Sequence, residues 1–252
     1  MNHIITGENI TKIFGTGNEQ SKVLNGVNVE IAEGEFVAVM GPSGSGKSTL
    51  LFALSGMDEI TSGSVKFGDT ELSNLCENTL ADLRRRKMGF VFQQPTMLKN
   101  LNLLDNILLP ATQEGKKHTA KLTQKAKALM KKTGLAGLEN RDITEVSGGQ
   151  LQRAGICRAL MNTPEILFAD EPTGALNSKS AEEIMSLLVD INKEGTAILL
   201  VTHDAKVAAR ADRVLFAKDG NIVSELPLQK FDDKDTQERG ETVLAGMAAL
   251  GI

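Results

Sequence analysis

The chain has 252 residues, of which 41% are hydrophobic and 24% are charged, and its formal net charge is −4. This is the composition of a globular protein with a sizeable core, built as one large α/β domain or as a domain with an inserted lobe. The negative charge argues against a protein that binds nucleic acid over its whole surface, because such proteins are strongly basic. No nucleic-acid partner is therefore expected.

The first part of the chain predicts short strands and one buried helix. Three strands come first, separated by turns that contain Gly and Asn, at residues 9–14, 27–31 and 35–40. The unbroken apolar run at residues 48–57 predicts a buried helix directly after the third strand. Two more strands are predicted beyond it, at residues 65–69 and 88–93.

Helix-forming residues dominate from about residue 100 to residue 161. Within this region the lysine-rich run 116–132 predicts an exposed helix face with solvated lysines. Strands return at residues 165–170 and 197–202, with a predicted helix at 179–195 between them. A strand–helix–strand order of this kind predicts a parallel sheet.

The last part of the chain predicts a hairpin and a terminal segment. Residues 213–226 form the hairpin, with Asp219-Gly220 at its tight turn. Residues 232–252 form either a short amphipathic helix or a frayed tail.

Cysteine usage and hydropathy bear on the location of the protein. Cys76 and Cys157 are far apart and lack the spacing of metal ligands, which predicts free thiols in a reducing cytosol. The N-terminal residues lack a basic segment followed by an apolar one, so no signal peptide is expected. No apolar run approaches the ~20 residues of a membrane-spanning helix. A role at a membrane would therefore depend on a partner.

The motif GPSGSGKST, residues 41–49, matches the P-loop pattern and lies between a predicted strand and a predicted helix. Its glycines let successive backbone N–H groups turn towards phosphate oxygens, and the helix N-terminus adds partial positive charge. Lys47 is placed to reach the β- and γ-phosphates, and the Ser48 hydroxyl is placed to bind Mg²⁺.

Four polar residues lie at the ends of predicted strands. Asp170 is placed to hold Mg²⁺ through its water shell, and Glu171 is placed to polarise an attacking water. Gln93 and His203 end two other strands, at the edge where α/β sheets bind ligands. Taken alone, Gln93 and His203 are more often structural residues.

A second helix start of the phosphate-binding type occurs in TEVSGGQLQR, residues 144–153. Ser147, Gly148 and Gly149 precede a helical run there, about a hundred residues after the P-loop. The chain thus carries two predicted phosphate-binding helix starts.

Five motifs follow in one order: GPSGSGKST, FQQP, VSGGQLQR, ILFADEP and VTHD. Over roughly residues 4–226 this order and spacing resemble the ATP-binding subunit of an ABC transporter. The resemblance implies an α/β P-loop NTPase fold with a RecA-like core, an antiparallel β subdomain and an inserted α-helical subdomain. It implies an ATP-binding domain at residues 1–226, with the helical subdomain at about 97–160. A C-terminal tail that can form a short helix follows at 227–252.

The resemblance implies that two copies pair head to tail. Each ATP then lies between the P-loop of one copy and the signature motif of the other copy, which in this chain is VSGGQLQR. The implied catalytic residues are Lys47, Gln93, Glu171 and His203. The implied ATP-binding residues are Phe14, Gly41, Pro42, Ser43, Gly44, Ser45, Gly46, Lys47, Ser48, Thr49, Ser147, Gly148, Gly149 and Gln150. The implied magnesium ligands are Ser48, Gln93 and Asp170.

Individual roles follow from the same resemblance. Glu171 is the general base, and His203 contacts the γ-phosphate and holds the catalytic geometry. Gln93 senses the γ-phosphate and the metal and relays their state to a transmembrane partner. Ser147, Gly149 and Gln150 clasp the γ-phosphate or ribose of the nucleotide on the opposite chain.

Phe14 falls where the family stacks an aromatic ring on adenine. The chain has no Trp and no Tyr, which makes Phe14 the natural candidate. The alternative is that Phe14 is a plain core residue of the β subdomain.

Three positions depart from the family pattern. Val146 stands where the signature usually begins with Leu, a change expected to cost under ~1.5 kcal/mol of stability. Phe14 lacks a Tyr hydroxyl, although stacking needs only the π face. Asn177 stands where the loop after Glu171 usually has Asp, so communication between the two nucleotide sites is expected to differ.

Within the family the motifs resemble the macrolide-export, lipoprotein-release and bacitracin-export subgroup, and TGALNSKS and LQRAGICRAL favour the antimicrobial-peptide resistance branch. The implied function is an ATPase that powers such a transporter, with ATP and Mg²⁺ as cofactors. The implied partners are a second copy and a transmembrane permease, through which the protein sits on the cytoplasmic face of the membrane. One alternative is a soluble ABC-type ATPase acting on nucleic acid or ribosomes. Another is a small-molecule kinase, which would leave VSGGQ and His203 without roles.

Overall fold

The computed structural model describes residues 2–112, 120–232 and 235–252. The elements of the first half are β1 (His3–Phe14), β2 (Ser21–Ala32), β3 (Phe36–Met40), α1 (Lys47–Leu54), β4 (Ser62–Phe67), β5 (Thr70–Glu71), α2 (Glu77–Lys87), β6 (Met88–Phe92) and α3 (Leu103–Leu108). Those of the second half are α4 (Ala120–Lys132), α5 (Gly148–Leu160), β7 (Ile166–Asp170), α6 (Ser178–Lys193), β8 (Ala197–Val201), α7 (Ala205–Ala208), β9 (Arg213–Lys218), β10 (Asn221–Pro227) and α8 (Thr236–Ala249).

The central sheet has six strands in the order β10-β9-β3-β8-β7-β6. All neighbouring strands are parallel except β9 and β10, which form the predicted antiparallel hairpin. All residues of β3 and β8 are buried, as expected for strands covered on both faces of a parallel sheet. The carboxyl ends of β3, β7 and β8 therefore share one edge of the sheet, and the fold class predicted as α/β is confirmed.

A second sheet has four antiparallel strands in the order β2-β1-β4-β5. Its buried apolar side chains share one hydrophobic core with those of the central sheet. The helix α1 contributes Leu50, Leu51 and Leu54 to this core, together with apolar residues of both sheets. Contacts with strands of both sheets explain why α1 is apolar from Leu50 to Leu54. The last three residues of the P-loop form the start of α1, so the loop is fixed to a rigid element.

Strands β1 and β2 are longer than predicted. Asn25 and Gly26 predict a turn before the strand at residue 27. In the structure they belong to the first half of β2, which begins at Ser21. Asn9, with φ 50°, and Gly26, with φ 72°, take the left-handed conformation inside the strands, and the β1–β2 register shifts near Gly7 and Ile10. These irregularities let the strands continue through residues that normally end them.

The helix α2 is absent from the sequence prediction. Its apolar contact with the core comes from Leu80 and Leu83, which are partly buried, and none of its residues is fully buried. Two leucines three residues apart make too short an apolar face to stand out as a periodic pattern. Ion pairs join Glu77 to Arg84, and Asp82 to both Arg85 and Arg86. The pairs of Asp82 have the spacing that stabilises a helix surface.

Helices α3, α4 and α5 share a separate core that includes Leu103, Met130 and Cys157. Burial raises the pKa of the Cys157 thiol to about 11, so it stays protonated at neutral pH. Cys76 is exposed, and both cysteines are free, as predicted. Of the lysine-rich run, residues 116–119 lie outside the described residues. Within α4 the exposed lysines are Lys121, Lys127, Lys131 and Lys132.

The C-terminal helix α8 packs on the central sheet. Val243 is fully buried, and Gly246 lies against the Phe216 ring of β9. Across the described residues, no helix is long and apolar enough to cross a membrane. The division into a domain of residues 1–226 and a tail of 227–252 stays a prediction.

Arg239 joins α8 to the rest of the chain. It is 9% exposed, and its guanidinium donates to the carbonyl oxygens of Ala209, Ala211, Leu228 and Gln229 at 2.6–3.3 Å. Two of these carbonyls follow α7 and the other two follow β10. The Arg239 side chain thus joins α8 to the segment after α7 and to the segment after β10.

We expect Arg239→Ala to lower the free energy of unfolding by about 3 kcal/mol, because several buried carbonyls lose a charged donor. Chemical denaturation of both proteins measures the difference. Gln237→Ala on the same helix is the control, since Gln237 is exposed and its side-chain amide donates to the exposed Glu241. A loss for Arg239→Ala no larger than for this control would contradict the stabilising role.

Candidate functional site

The P-loop connects β3 with α1 and curls back on itself. Gly44 and Gly46 have φ of 80° and 94°, which side chains other than glycine rarely adopt. A Cβ at Gly46 would lie 2.8 Å from the carbonyl oxygen of Val23. Pro42, Ser43 and Gly44 are exposed, whereas Ser48 and Thr49 are half-buried and Gly41, Ser45, Gly46 and Lys47 are buried.

Lys47 lies inside this loop. Its Nζ donates to the carbonyl oxygens of Gly41 and Pro42 at 2.9 Å and 2.8 Å. Burial lowers the pKa of Lys47, and the carboxylates of Glu171 and Asp170 oppose this shift. The loop therefore presents a positive charge beside backbone N–H groups, an arrangement suited to an anion.

The hydroxyl of Ser48 donates to Asp170 Oδ1 over 2.9 Å, which joins the start of α1 to the end of β7. Burial raises the pKa of Asp170; the Ser48 hydrogen bond opposes this shift and the neighbouring Glu171 carboxylate adds to it. A cation bound at this carboxylate would offset both unfavourable effects.

The same residues fit Mg²⁺. Oxygen ligands suit this ion, and protein sites commonly supply one or two carboxylates while substrate phosphates and waters supply the rest. Within the described ranges no group of three or more His, Cys, Asp or Glu residues could hold a metal by itself. Ser48 and Asp170 would thus form the protein's part of such a site, which a phosphate ligand would complete.

Glu171 and His203 form a second pair at the same edge of the sheet. His203 Nδ1 lies 2.9 Å from Glu171 Oε1. The Glu171 side chain is 19% exposed and His203 is 71% exposed, so the carboxylate is sheltered and the imidazole faces solvent. Glu171 has φ 47°, a strained backbone that non-glycine residues often show at functional sites.

Gln93 follows β6 and lies close to the loop after Glu171. Its Nε2 is 2.8 Å from the point where a Cβ on Gly174 would be, so glycine at 174 leaves room for this amide. Gln93 is exposed, and its amide makes no hydrogen bond to Ser48 or Asp170 in the described part of the chain.

Gln152 was not singled out from the sequence. It is 1% exposed in α5, and its Nε2 donates to the carbonyl oxygen of Phe92, directly before Gln93. Arg158, further along α5, donates to Thr96 O. The helix α5, which begins at the signature motif, therefore holds the segment around Gln93. In the sequence, the one sign of the role of Gln152 is a glutamine among helix positions that include apolar residues.

The start of α5 forms a closed capping box. Ser147 Oγ accepts from the Gln150 backbone N–H at 3.3 Å, and Gln150 Oε1 accepts from the Ser147 N–H at 2.7 Å. Ser147 and Gly148 are exposed, and Gly149 is buried with its Cα against Ser180 of α6. No hydrogen bond among the described residues joins this helix start to the P-loop of the same chain.

Two of the departures from the family pattern have clear structural settings. Asn177 caps α6 by accepting from the Ser180 N–H at 2.9 Å, a position where Asn and Asp are equally favoured. Val146 packs against the core of the helical region. Neither residue is misplaced by the change in side chain.

Phe14 ends β1 and is 43% exposed, so it is not a buried core residue. Lys12 Nζ lies 4.7 Å from the centroid of its ring and also bonds to Asp58 Oδ1 at 2.7 Å. The exposed ring provides apolar area next to a cation.

Comparisons with known proteins extend this description. Residues 24–174 match the family described as ABC transporter. The chain is 44% identical over 223 residues to the macrolide export ATP-binding/permease protein MacB of Mannheimia succiniciproducens, covering 88% of this chain and 34% of that protein. It is 41% identical to the bacitracin export ATP-binding protein BceA of Halalkalibacterium halodurans, covering 88% of each. The chain thus spans about a third of the macrolide-export relatives it matches.

Solved structures of similar fold point to the same family. A dimeric ATP-binding cassette in a post-hydrolysis state, bound to ADP and Pi, has a TM-score of 0.83 and 39% identity, covering 90% of this chain and all of that one. A dimeric bacterial ABC transporter cassette has the same TM-score and 40% identity. These matches confirm the predicted P-loop NTPase fold. The chain belongs to the ABC transporter family.

Proposed function

We propose that the chain binds ATP with Mg²⁺ and hydrolyses it as the ATP-binding subunit of a transporter. One observation carries the proposal: the Ser48–Asp170 and His203–Glu171 pairs lie beside the P-loop at one edge of the central sheet. The first pair supplies metal positioning, and the second supplies activation of water. Phosphoryl transfer to water needs both.

In the proposed reaction Lys47 moves from the carbonyls of Gly41 and Pro42 to the phosphate oxygens, where its charge is neutralised. Mg²⁺, when bound at Ser48 and Asp170, would neutralise charge on the phosphates. Glu171 accepts a proton from the attacking water as the water oxygen bonds to the γ-phosphorus and the bond to ADP breaks. His203 holds the Glu171 carboxylate and contacts the γ-phosphate, and the products are ADP and phosphate.

The second half of the site comes from another copy of the chain. Ser147 and Gly148 are exposed at the start of α5, where a helix N-terminus favours an anion. We propose that Ser147, Gly149 and Gln150 contact the γ-phosphate or ribose of the nucleotide on the opposite chain. Gln93 lies between the two carbonyl groups, of Phe92 and Thr96, that side chains of α5 bind, and it would relay the state of the nucleotide to a transmembrane permease. Through that permease the protein would sit on the cytoplasmic face of the membrane.

Dependence of activity on protein concentration tests this arrangement. Since each site needs two copies, the ATPase activity per milligram should rise steeply with protein concentration and level off once dimers predominate. The measurement is phosphate release over a dilution series at saturating ATP. Activity per milligram that stays constant over the whole series would contradict the shared site.

The proposed substrate class is antimicrobial peptides of the bacitracin or lantibiotic type. The alignment with the bacitracin relative covers 88% of both proteins, and TGALNSKS and LQRAGICRAL favour the same branch. Export names among the relatives favour a transporter over an ATPase acting on nucleic acid or ribosomes. Co-purification with a detergent-solubilised permease, followed by ATPase assays with bacitracin and with a macrolide, tests both points. Stimulation by the macrolide alone would replace the peptide class.

Phe14 is proposed to stack on adenine, because its ring is exposed at the end of β1. We expect Phe14→Ala to weaken ATP binding by ~1–3 kcal/mol, the usual effect of removing an aromatic platform for a base. Equilibrium dialysis with radiolabelled ATP measures the change. Val223→Ala, which removes another exposed apolar side chain from a different sheet, is the control. An unchanged dissociation constant for Phe14→Ala would remove the ring from the site.

A further inference from the structure

The outer side of the P-loop is held by a turn that belongs to none of the nucleotide motifs. The N–H of Gly220, between β9 and β10, donates to the carbonyl oxygen of Ser45 over 3.2 Å. Asn25 of β2 holds this turn twice. Its backbone N–H donates to Gly220 O at 2.9 Å, and its side-chain amide donates to Asp219 O at 2.7 Å. Contacts therefore run from Asn25 through the turn to the P-loop.

A phosphate-binding loop needs such a support. When its N–H groups turn inward towards an anion, some of its carbonyl groups turn outward and need other donors. The Ser45 carbonyl is one of these, and Gly220 supplies its donor. A loop without this hydrogen bond would be free to turn the peptide groups on which phosphate binding depends.

Close packing fixes the geometry of this support. A Cβ at Gly46 would lie 2.8 Å from the Val23 carbonyl oxygen, and a Cβ at Gly220 would lie 2.5 Å from the same oxygen. The φ angle of Gly220 is 76°, so a side chain there would be strained as well. The backbone of β2 thus contacts the P-loop on one side and the turn on the other.

The same strand connects the P-loop with the aromatic end of β1. Asn25 pairs with Thr11 across the β1–β2 ladder, and Phe14 lies further along β1. Asn25 is therefore placed to fix the P-loop with respect to both sheets.

We propose that Asn25 is a positioning residue for the P-loop. It holds the Asp219–Gly220 turn so that Gly220 donates to Ser45 and the loop keeps its phosphate-binding conformation. Asn25 acts through the turn and contacts no phosphate itself. This inference rests on the proposed function, since it assumes that the P-loop binds the phosphates of ATP.

The test uses Asn25→Asp and Asn25→Ala with two probes, ATP and inorganic tripolyphosphate. Asn25→Asp places an acceptor against the Asp219 carbonyl, and Asn25→Ala removes the donor. We expect both variants to bind both probes about tenfold more weakly, the effect of losing one hydrogen bond of ordinary to charge-assisted strength. Phe14→Ala, by contrast, should weaken ATP binding and leave tripolyphosphate binding unchanged, because the polyphosphate has no base.

Asn28→Asp is the matched control. Asn28 lies on the same strand, and its side-chain amide also donates to a backbone carbonyl, that of Gly26 at 3.3 Å. Its side-chain oxygen accepts from the Asn9 N–H at 2.9 Å, which an aspartate can do as well. Among the described residues no hydrogen bond joins the Asn28 side chain to the Asp219–Gly220 turn. Its affinities for both probes should match those of the wild-type chain. Melting temperatures are recorded for every variant, and binding is measured well below them.

The possible outcomes separate this inference from the proposed function. If the wild-type chain binds ATP and both Asn25 variants bind tripolyphosphate as tightly as the wild-type chain does, the positioning role is overturned. The proposed function is not affected by that result. A lower melting temperature with unchanged affinity would assign Asn25 to stability and overturn the role in the same way. A wild-type chain that binds neither probe would overturn the proposed function and this inference with it.

Discussion

Glu171→Gln should leave ATP binding intact and lower steady-state hydrolysis by about 10²–10⁴-fold, the usual contribution of a general base. Glutamine has nearly the shape of glutamate and can keep the hydrogen bond to His203 Nδ1, but its neutral amide cannot accept the proton from water. Because the bound ATP then persists, the ATP-bound dimer should accumulate. Phosphate release measures turnover, and size-exclusion chromatography with ATP measures the dimer.

The matched control for this variant is Glu165→Gln. Glu165 precedes β7 at the end of the strand opposite Glu171, and its carboxylate pairs with Lys87 at the surface. The same chemical change there should leave turnover within a factor of two or so, since surface ion pairs contribute little. Unchanged turnover in the Glu171→Gln variant would remove Glu171 from the role of base.

Ser147→Arg, introduced in the Glu171→Gln background, should abolish the ATP-dependent dimer and spare ATP binding by the monomer. The arginine side chain would occupy the exposed start of α5, where the nucleotide of the opposite copy is expected to sit. The monomer's own P-loop is unaffected, because no hydrogen bond in the described residues links it to Ser147. Chromatography with and without ATP reports the loss directly.

Loss of the Ser147 cap needs its own control, since removing a helix cap costs about 1 kcal/mol of stability. Such a loss still leaves most of the ~5–15 kcal/mol by which a normal domain is stable. Thr242→Arg adds the same charged side chain at an exposed position of α8 and should leave the dimer unchanged. A dimer that persists with ATP in the Ser147→Arg protein would refute the shared site.

The sequence predicted the parts of the fold that depend on strong local patterns. Apolar runs that end in Gly41, Asp170 and His203 predict buried strands, and these residues lie at one edge of a parallel sheet. By contrast, α2 packs on the core through Leu80 and Leu83 and has no fully buried residue, so its apolar pattern is too short to predict a helix. The first half of β2 contains Asn25 and Gly26, which normally indicate a turn and here continue a strand.

Site residues were predictable where a motif gives them, and hidden where only tertiary contacts do. The positive φ of Glu171 comes from the link between β7 and the following loop, which residue types do not show. Gln152 contacts Phe92 across sixty positions of the chain, and Asn25 contacts Asp219 across 194. Pairings at such separations need coordinates, because nothing local to either residue indicates its partner.

The closed cap at the start of α5 has a consequence for how the two copies separate. In the single chain Ser147 and Gln150 already satisfy each other's backbone groups, so in the proposed shared site a nucleotide brought by another copy would replace hydrogen bonds instead of adding them. Exchange of one set of bonds for another of similar strength yields little net free energy.

On this proposal, the free energy that favours association would come mainly from the charge of the γ-phosphate at the helix terminus. That charge is present before hydrolysis and would leave with the phosphate. Once it has gone, Ser147 and Gln150 can restore their own bonds at little cost. The closed cap of α5 thus predicts that the proposed dimer has a short lifetime after hydrolysis. Its two subunits should separate quickly and become available for another turnover.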